Sequence, residues 1–337
     1  MTGLAFAHLE RMSTPMGLYE HARYDSPRIQ HGYCVDDVAR GLVVTSRERH
    51  APARVRHLAD SYLDFLVLAL QDDGRMHNRR SAVGLWTDEP STDDHWGRAL
   101  WAFGTAATDT DDISFSTKAR MAAATAMQAR SPHPRSMAYA ALGAGLILDV
   151  DPDDGAALSV LADAGRSLPR RRPSSAWPWP EPRLTYANAV LPQAMIVVGT
   201  HLEDADLVRE GLRLLGWLVD EQQHEGHLSL VSSSGRGPGD QAPGFAQQPI
   251  EAAALAEACR TAYVATDDSR WLSAIAQCWA WFEGANDVGV VMFDAVTGAG
   301  FDGLERGAAN QNQGAESTLA WLSTRQIALM PVLAGTP

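Results

Sequence analysis

Residues 92–150, TDDHWGRALWAFGTAATDTDDISFSTKARMAAATAMQARSPHPRSMAYAALGAGLILDV, hold three apolar stretches separated by two tight polar links. Apolar residues recur at helical spacing over 92–109, 113–131 and 134–150, interrupted by TDDI at 110–113 and SPH at 131–133. Acids, serine and proline at such points are helix-start signals. Links this short return the chain on itself, so the stretch predicts successive antiparallel helices with no strand between them.

Outward from there, the same reading gives helices at 3–13, 35–49, 53–71, 154–169, 184–203, 205–223, 248–266, 269–286 and 313–330, twelve in all. Strand signals are sparse; HLSLV at 227–231 and VGVVMF at 288–293 predict short hairpins in loops. Short links follow the even helices: HAPA, TDDI, DPDD, ED and DD. Long ones follow the odd helices at 14–34, 72–91, 170–183, 224–247 and 287–312, with SPH the exception. Along antiparallel helices this alternation puts the long links on one face. YLDFLVLALQDDGRMHN at 62–78 and LGWLVDEQQHEGHLSLV at 215–231 echo each other, each ending a helix in acid-Gly-basic-apolar. Two ordinary glycine C-caps would look the same. Together the features predict an all-α (α/α)6 toroid with even helices inside, and one domain over 1–337. A solenoid is the alternative if the first and last hairpins do not meet.

The net charge of -13, with Lys118 the only lysine, excludes a basic face for nucleic acid or an anionic membrane. Cys34, Cys259 and Cys278 have neither disulfide-framework nor zinc spacing, so no metal or cofactor is expected. The start lacks a signal-peptide pattern and no apolar run approaches a membrane span; the expectation is a cytoplasmic protein.

The unusual residues sit at the starts of the even helices: HGYCVDDVAR (31–40), STDDHWGRALW (91–101), SPHPRSMAY (131–139), WPWPEPRLTYANA (177–189), GFAQQPIEA (244–252) and GAANQNQGAES (307–317). In a ring these converge at one mouth. Aromatics beside amides and carboxylates suit a sugar, which offers an apolar ring face and many hydroxyls. His31, Tyr33, Asp36, Asp94, His95, Trp96, Trp179, Tyr186, Asn188, Gln248, Asn312 and Gln313 are the candidate ligand contacts, and Asp37, Glu181, Glu251 and Glu316 the candidate catalytic carboxyls. Most have a plainer reading. Acids in a first helical turn complement the helix dipole, and Glu251 after Pro249 could complete a capping box with Gln248. Glu181 lies between Pro180 and Pro182, where cap logic does not apply.

At these motifs the chain resembles a bacterial family of helical-toroid proteins of glycan metabolism, found alone or attached to glycosyltransferase-like domains. The resemblance is carried by His31-Gly-Tyr-Cys-Val-Asp-Asp37 with Arg40, Trp179-Pro-Glu181-Pro with Tyr186-Ala-Asn188, Gln248-Pro-Ile-Glu251-Ala and Asn312-Gln-Gly-Ala-Glu316-Ser-Thr. More widely it resembles the (α/α)6 glycosidases. That implies a glycoside hydrolase, inverting by default, acting on an oligo- or polysaccharide. The Arg- and Ala-rich composition resembles that of actinobacterial proteins, whose mannose polymers, some methylated, suggest an α-mannoside.

Hydrolysis needs one protonated carboxyl and one ionised one. Aromatic and proline surroundings point to Glu181 as the acid, with Asp37, Glu251 or Glu316 as base. Three rivals are a sugar epimerase of the same shape, which would use imidazoles such as His95 and His227; a phosphorylase, for which Arg98 and Arg183 are the motif-adjacent cations; and a non-catalytic carbohydrate-binding module.

Overall fold

The computed structural model describes residues 5–48, 51–170 and 176–330. Residues 3, 4 and 49 of the expected helices and His50 of the HAPA link lie outside them. The described residues form twelve α-helices: α1 (Ala7–Met12), α2 (Val35–Ser46), α3 (Ala53–Ala69), α4 (Asp94–Thr108), α5 (Ile113–Ala126), α6 (Pro134–Val150), α7 (Gly155–Ser167), α8 (Val190–His201), α9 (Ala205–Glu221), α10 (Pro249–Thr266), α11 (Arg270–Phe282) and α12 (Ala315–Leu329). The even helices pack in a closed ring, α2 on α4, then α6, α8, α10 and α12, and α12 back on α2. The outer helices α3, α5, α7, α9 and α11 pack against the ring, so the fold is an all-α (α/α)6 toroid.

Sequence explains the two layers. Helix α9 buries Leu207, Gly211, Leu214, Leu215 and Leu218 along one stripe, as an outer helix should. Helix α10, PIEAAALAEACRTAYVAT, is buried at every position from Pro249 to Cys259, because neighbours cover it all round. Small residues let inner helices approach closely. A Cβ on Gly104 would overlap the backbone of Gly143, and one on Gly143 that of Leu100, so α4 and α6 touch main chain to main chain.

The short links hold the far ends of the hairpins. Asp112, Asp154 and Asp204 accept from the backbone N–H groups of Phe115, Ala157 and Leu207 at 3.1, 2.9 and 3.0 Å, capping α5, α7 and α9. At the opposite face none of the six inner helices has a side-chain N-cap bond. The acids there serve something other than capping.

The long links pair with one another around that face. Residues 33–34 pair with 79–80, Leu184 bridges Arg236, Gln247 bridges Leu304, and Gln313 N donates to Tyr24 O at 3.0 Å. The two echoed segments both turn back as tight loops after an outer helix. Leu70 bridges Met76 around Gly74, and 223–224 pair with 227–228 around Gly226; the positive φ of 83° and 86° suits glycine at each turn. The other expected stretch, 288–293, is not a hairpin: residues 288–292 form no strand, and only Phe293 belongs to the pair that does form, 293–294 with 299–300. Helix α8 starts at Val190 rather than 184. Ala187 takes φ 45° just before it, a left-handed residue that no helix interior accommodates.

Candidate active site

At the loop-bearing face is a cleft of about 460 Å³, lined by Glu20, His21, Cys34, Asp36, Asp37, Arg40, Asp94, Arg98, Tyr186, Gln248, Pro249, Asp302, Gly314, Glu316 and Ser317. The N-caps and first two turns of α2, α4, α10 and α12 supply most of these residues, so their helix N-termini converge on the carboxylates. Six carboxyl groups face two guanidiniums.

Two charge clusters organise the walls. In the first, Arg40 donates from Nη1 to Asp37 Oδ1 at 2.7 Å and pairs through Nη2 with Glu316 Oε2 at 2.8 Å. Cys34 Sγ donates to the other Asp37 oxygen at 3.1 Å. Asp37 is 3% exposed, whereas the Glu316 side chain is 44% exposed. Burial pushes the Asp37 carboxyl up to about 7, with nearby Glu316 and Glu20 adding to the rise and Arg40 opposing it. In the second cluster Arg98 binds Asp36 and lies 3.5 Å from Asp94, with its guanidinium 4.8 Å from the Tyr139 ring centroid. Burial works against ionised Asp36, but Arg98 and Arg40 outweigh it and hold its carboxyl below the usual range. Asn78 donates to its second oxygen at 3.3 Å.

Glu251 and Glu181 stand behind the wall. Glu251 accepts from Ala187 N, from Asn188 N at 3.4 Å and from Asn188 Nδ2 at 2.9 Å, and not from a Gln248 capping box. Burial pushes it up to about 7, although those hydrogen bonds oppose the shift. Glu181 meets Arg135 fork to fork, both contacts 2.6 Å, and accepts from Trp179 Nε1 at 3.2 Å. This is the geometry of an ionised carboxylate.

Of the residues expected from sequence, Asp36, Asp37, Asp94, Tyr186, Gln248 and Glu316 line the cleft. Others are structural supports beneath it. Trp96 is fully buried and donates to Ala126 O at 3.2 Å; Trp179 is fully buried against Trp217; His95 Nε2 donates to Met76 O at 2.9 Å. Tyr33 is buried and stacked on Tyr19, and Asn188 is buried on Glu251. The structure thus places these side chains inside the wall and not in the cleft lining. His31 is exposed and meets His21 edge to face at 4.9 Å, outside the cleft lining. Asn312 Oδ1 accepts from Tyr24 N at 3.0 Å, and Gln313 is buried with its carbonyl bonded to His8, so both join loops at the rim.

Sequence reasoning missed Glu20, His21 and Asp302, which reach the cleft from long loops with no local signal. Arg40 and Arg98 had one: they follow Asp37 and Asp94 at the i+3 and i+4 helical spacings that bring side chains together.

No protein-family model and no curated protein matches the chain. Among solved structures, a sugar epimerase from a ruminal bacterium matches 96% of this chain and 94% of its own at 11% identity, with a TM-score of 0.70. A D-mannose isomerase matches 96% and 95% at 9% identity, with a TM-score of 0.70. The α-1,6-mannanase of a Salegentibacter species, inactivated at two consecutive aspartates and bound to α-1,6-mannotetrose, matches 97% and 98% at 10% identity, with a TM-score of 0.66. The fold is shared with sugar-acting enzymes. Among the described residues no helix is long and apolar enough to cross a membrane.

Chemically, the cleft offers a buried carboxyl with raised proton affinity one guanidinium away from an exposed carboxylate. His95 and His227 do not provide an imidazole pair there: His95 is buried on Met76, and His227 pairs with Asp287 at 3.0 Å outside the lining.

Proposed function

We propose that this protein is an inverting glycoside hydrolase for neutral oligosaccharides, with Asp37 as general acid and Glu316 as base. The observation that carries the reading is the Asp37–Arg40–Glu316 cluster in a cleft of carboxylates. Asp37, proton-bearing below about pH 7, donates to the leaving glycosidic oxygen as its bond to the anomeric carbon breaks. Glu316, with one oxygen on Arg40 and much of its side chain exposed, takes a proton from the water that attacks that carbon. Inverting pairs stand roughly 6.5–9.5 Å apart to leave room for this water. Asp36, bound by Arg98 and Asn78 through both oxygens, supplies fixed negative charge to the developing oxocarbenium ion.

The proton-donor role expected for Glu181 is proposed for Asp37 instead, because Glu181 has both oxygens on Arg135 and is not part of the cleft lining. An α-mannoside is the proposed substrate, supported by the mannanase neighbour bound to α-1,6-mannotetrose. The epimerase and isomerase neighbours favour a second reading, a sugar epimerase. It is the weaker, since among the described residues His21 is the only imidazole in the lining.

Incubation with α-mannosides and matched glucosides, followed by mass and anomer analysis, separates the readings. Hydrolysis gives shortened α-mannosides with inverted configuration, faster than from the glucosides. A product of unchanged length and altered configuration identifies an epimerase. Binding without turnover identifies a carbohydrate-binding module.

A further inference from the structure

Tyr186 is 43% exposed, whereas the other aromatic candidates for ligand contact, Tyr33, Trp96 and Trp179, are fully buried. It lines the cleft, and an unusual number of contacts fix it. Its hydroxyl donates to Asp94 Oδ2 at 2.7 Å. The Arg135 guanidinium lies 5.0 Å from its ring centroid, and Arg135 Nε donates to its carbonyl oxygen at 3.0 Å. Arg135 is itself clamped by Glu181.

The next residue, Ala187, is held at φ 45°, where a residue with a side chain is strained. Glu251 supports that turn by accepting from Ala187 N, Asn188 N and Asn188 Nδ2, while Asn188 Oδ1 accepts from Thr185 N at 2.9 Å. Glu251 is 4% exposed and is not part of the cleft lining, so its carboxylate does not reach a ligand there.

We propose that Tyr186 is a stacking platform for the apolar face of one neutral pyranose of the substrate, and that Glu251 and Glu181 are positioning residues that hold it in place. This rests on the cleft being a glycan site. A ring with one face on a cation presents its other face outward, and a hydroxyl tethered to Asp94 fixes the ring's tilt. The side chain is thus ordered before the ligand arrives, which removes an ordering cost from binding. The surrounding carboxylates exclude anionic sugars, because like charge in a low-dielectric cleft repels them.

The test is calorimetric titration of α-1,6-mannotetrose into the Asp37→Asn protein, which prevents turnover. Each further substitution is made in that background, with thermal unfolding checked. Tyr186→Ala is expected to weaken Kd about ten-fold, the equivalent of roughly 1.4 kcal/mol. Tyr186→Phe and Tyr186→Trp, which keep a ring, recover most of it. Glu251→Gln is expected to weaken binding as Tyr186→Ala does and, in the otherwise native enzyme, to raise KM much more than it lowers kcat. Kd unchanged within two-fold by Tyr186→Ala would refute the platform. A loss of kcat in Glu251→Gln with KM unchanged would place Glu251 in the chemistry and overturn its positioning role. If the Asp37→Asn parent binds none of mannose, glucose or arabinose oligosaccharides, the glycan reading of the cleft falls, and the platform with it.

Discussion

Asp36 and Asp37 are consecutive and both line the cleft, yet their carboxyls are driven in opposite directions. Arg98 keeps Asp36 ionised, while burial and the flanking Glu316 and Glu20 hold a proton on Asp37 up to about pH 7. A general acid works only while protonated, so kcat/KM should fall as pH rises through about 7. Asp37→Asn should remove that limb together with about 10²-fold or more of kcat. Arg40 lowers the Asp37 value, so Arg40→Met should move the limb of the residual activity to higher pH. A pH profile of kcat/KM for both proteins reads this directly, and a limb unmoved in Arg40→Met would remove Asp37 from the acid role.

Helices α4 and α6 meet main chain to main chain where Gly143 lies against the Leu100 carbonyl, which an added Cβ would overlap. Gly143→Ala should therefore destabilise by about 1–3 kcal/mol, since the added carbon forces two packed backbones apart. Gly155→Ala, at the start of α7 with nothing within 4 Å, should instead stabilise by about 0.4–1 kcal/mol by restricting the unfolded chain. Denaturant midpoints of the two variants shifting the same way would contradict this account of the layers. Elements on this scale were legible because their signals are local: apolar spacing, acids in short links, glycine after an outer helix. The site was legible where a first-turn acid announced it, and at Tyr186 and Gln248 in the polar motifs beside the helix starts. Residues 184–189 read as helix, yet Glu251, more than sixty residues later, takes the N–H groups of Ala187 and Asn188 and holds a non-helical turn. Trp179 read as a ligand contact in a proline-rich loop, but it is fully buried against Trp217 of α9. Glu20 and Asp302 could not be placed at the mouth before the loops were assembled.

Closure of the ring joins parts of the chain that are far apart in sequence, and one buried cluster fastens that seam. Arg47, just past α2, donates to both carboxylate oxygens of Glu257 in α10, and Ser323 in α12 donates to Glu257 at 2.7 Å. Both charged side chains are nearly enclosed, so the ion pair holds the first inner helix to the last two at the end of the ring away from the cleft. Contacts spanning 210 residues form late and are costly to nucleate, which makes the seam the part of the toroid expected to close last. Removing one partner leaves a charge without its counterpart, at a cost of about 3–5 kcal/mol, whereas replacing both by apolar residues of similar size is often close to neutral. Glu257→Leu should thus lower the denaturant midpoint sharply, and Arg47→Met with Glu257→Leu should restore most of the loss. Tryptophan fluorescence during unfolding measures both. Penalties that simply add in the double variant would show that the pair does not act as a unit, and that closure depends on the apolar contacts of α2 with α12 instead.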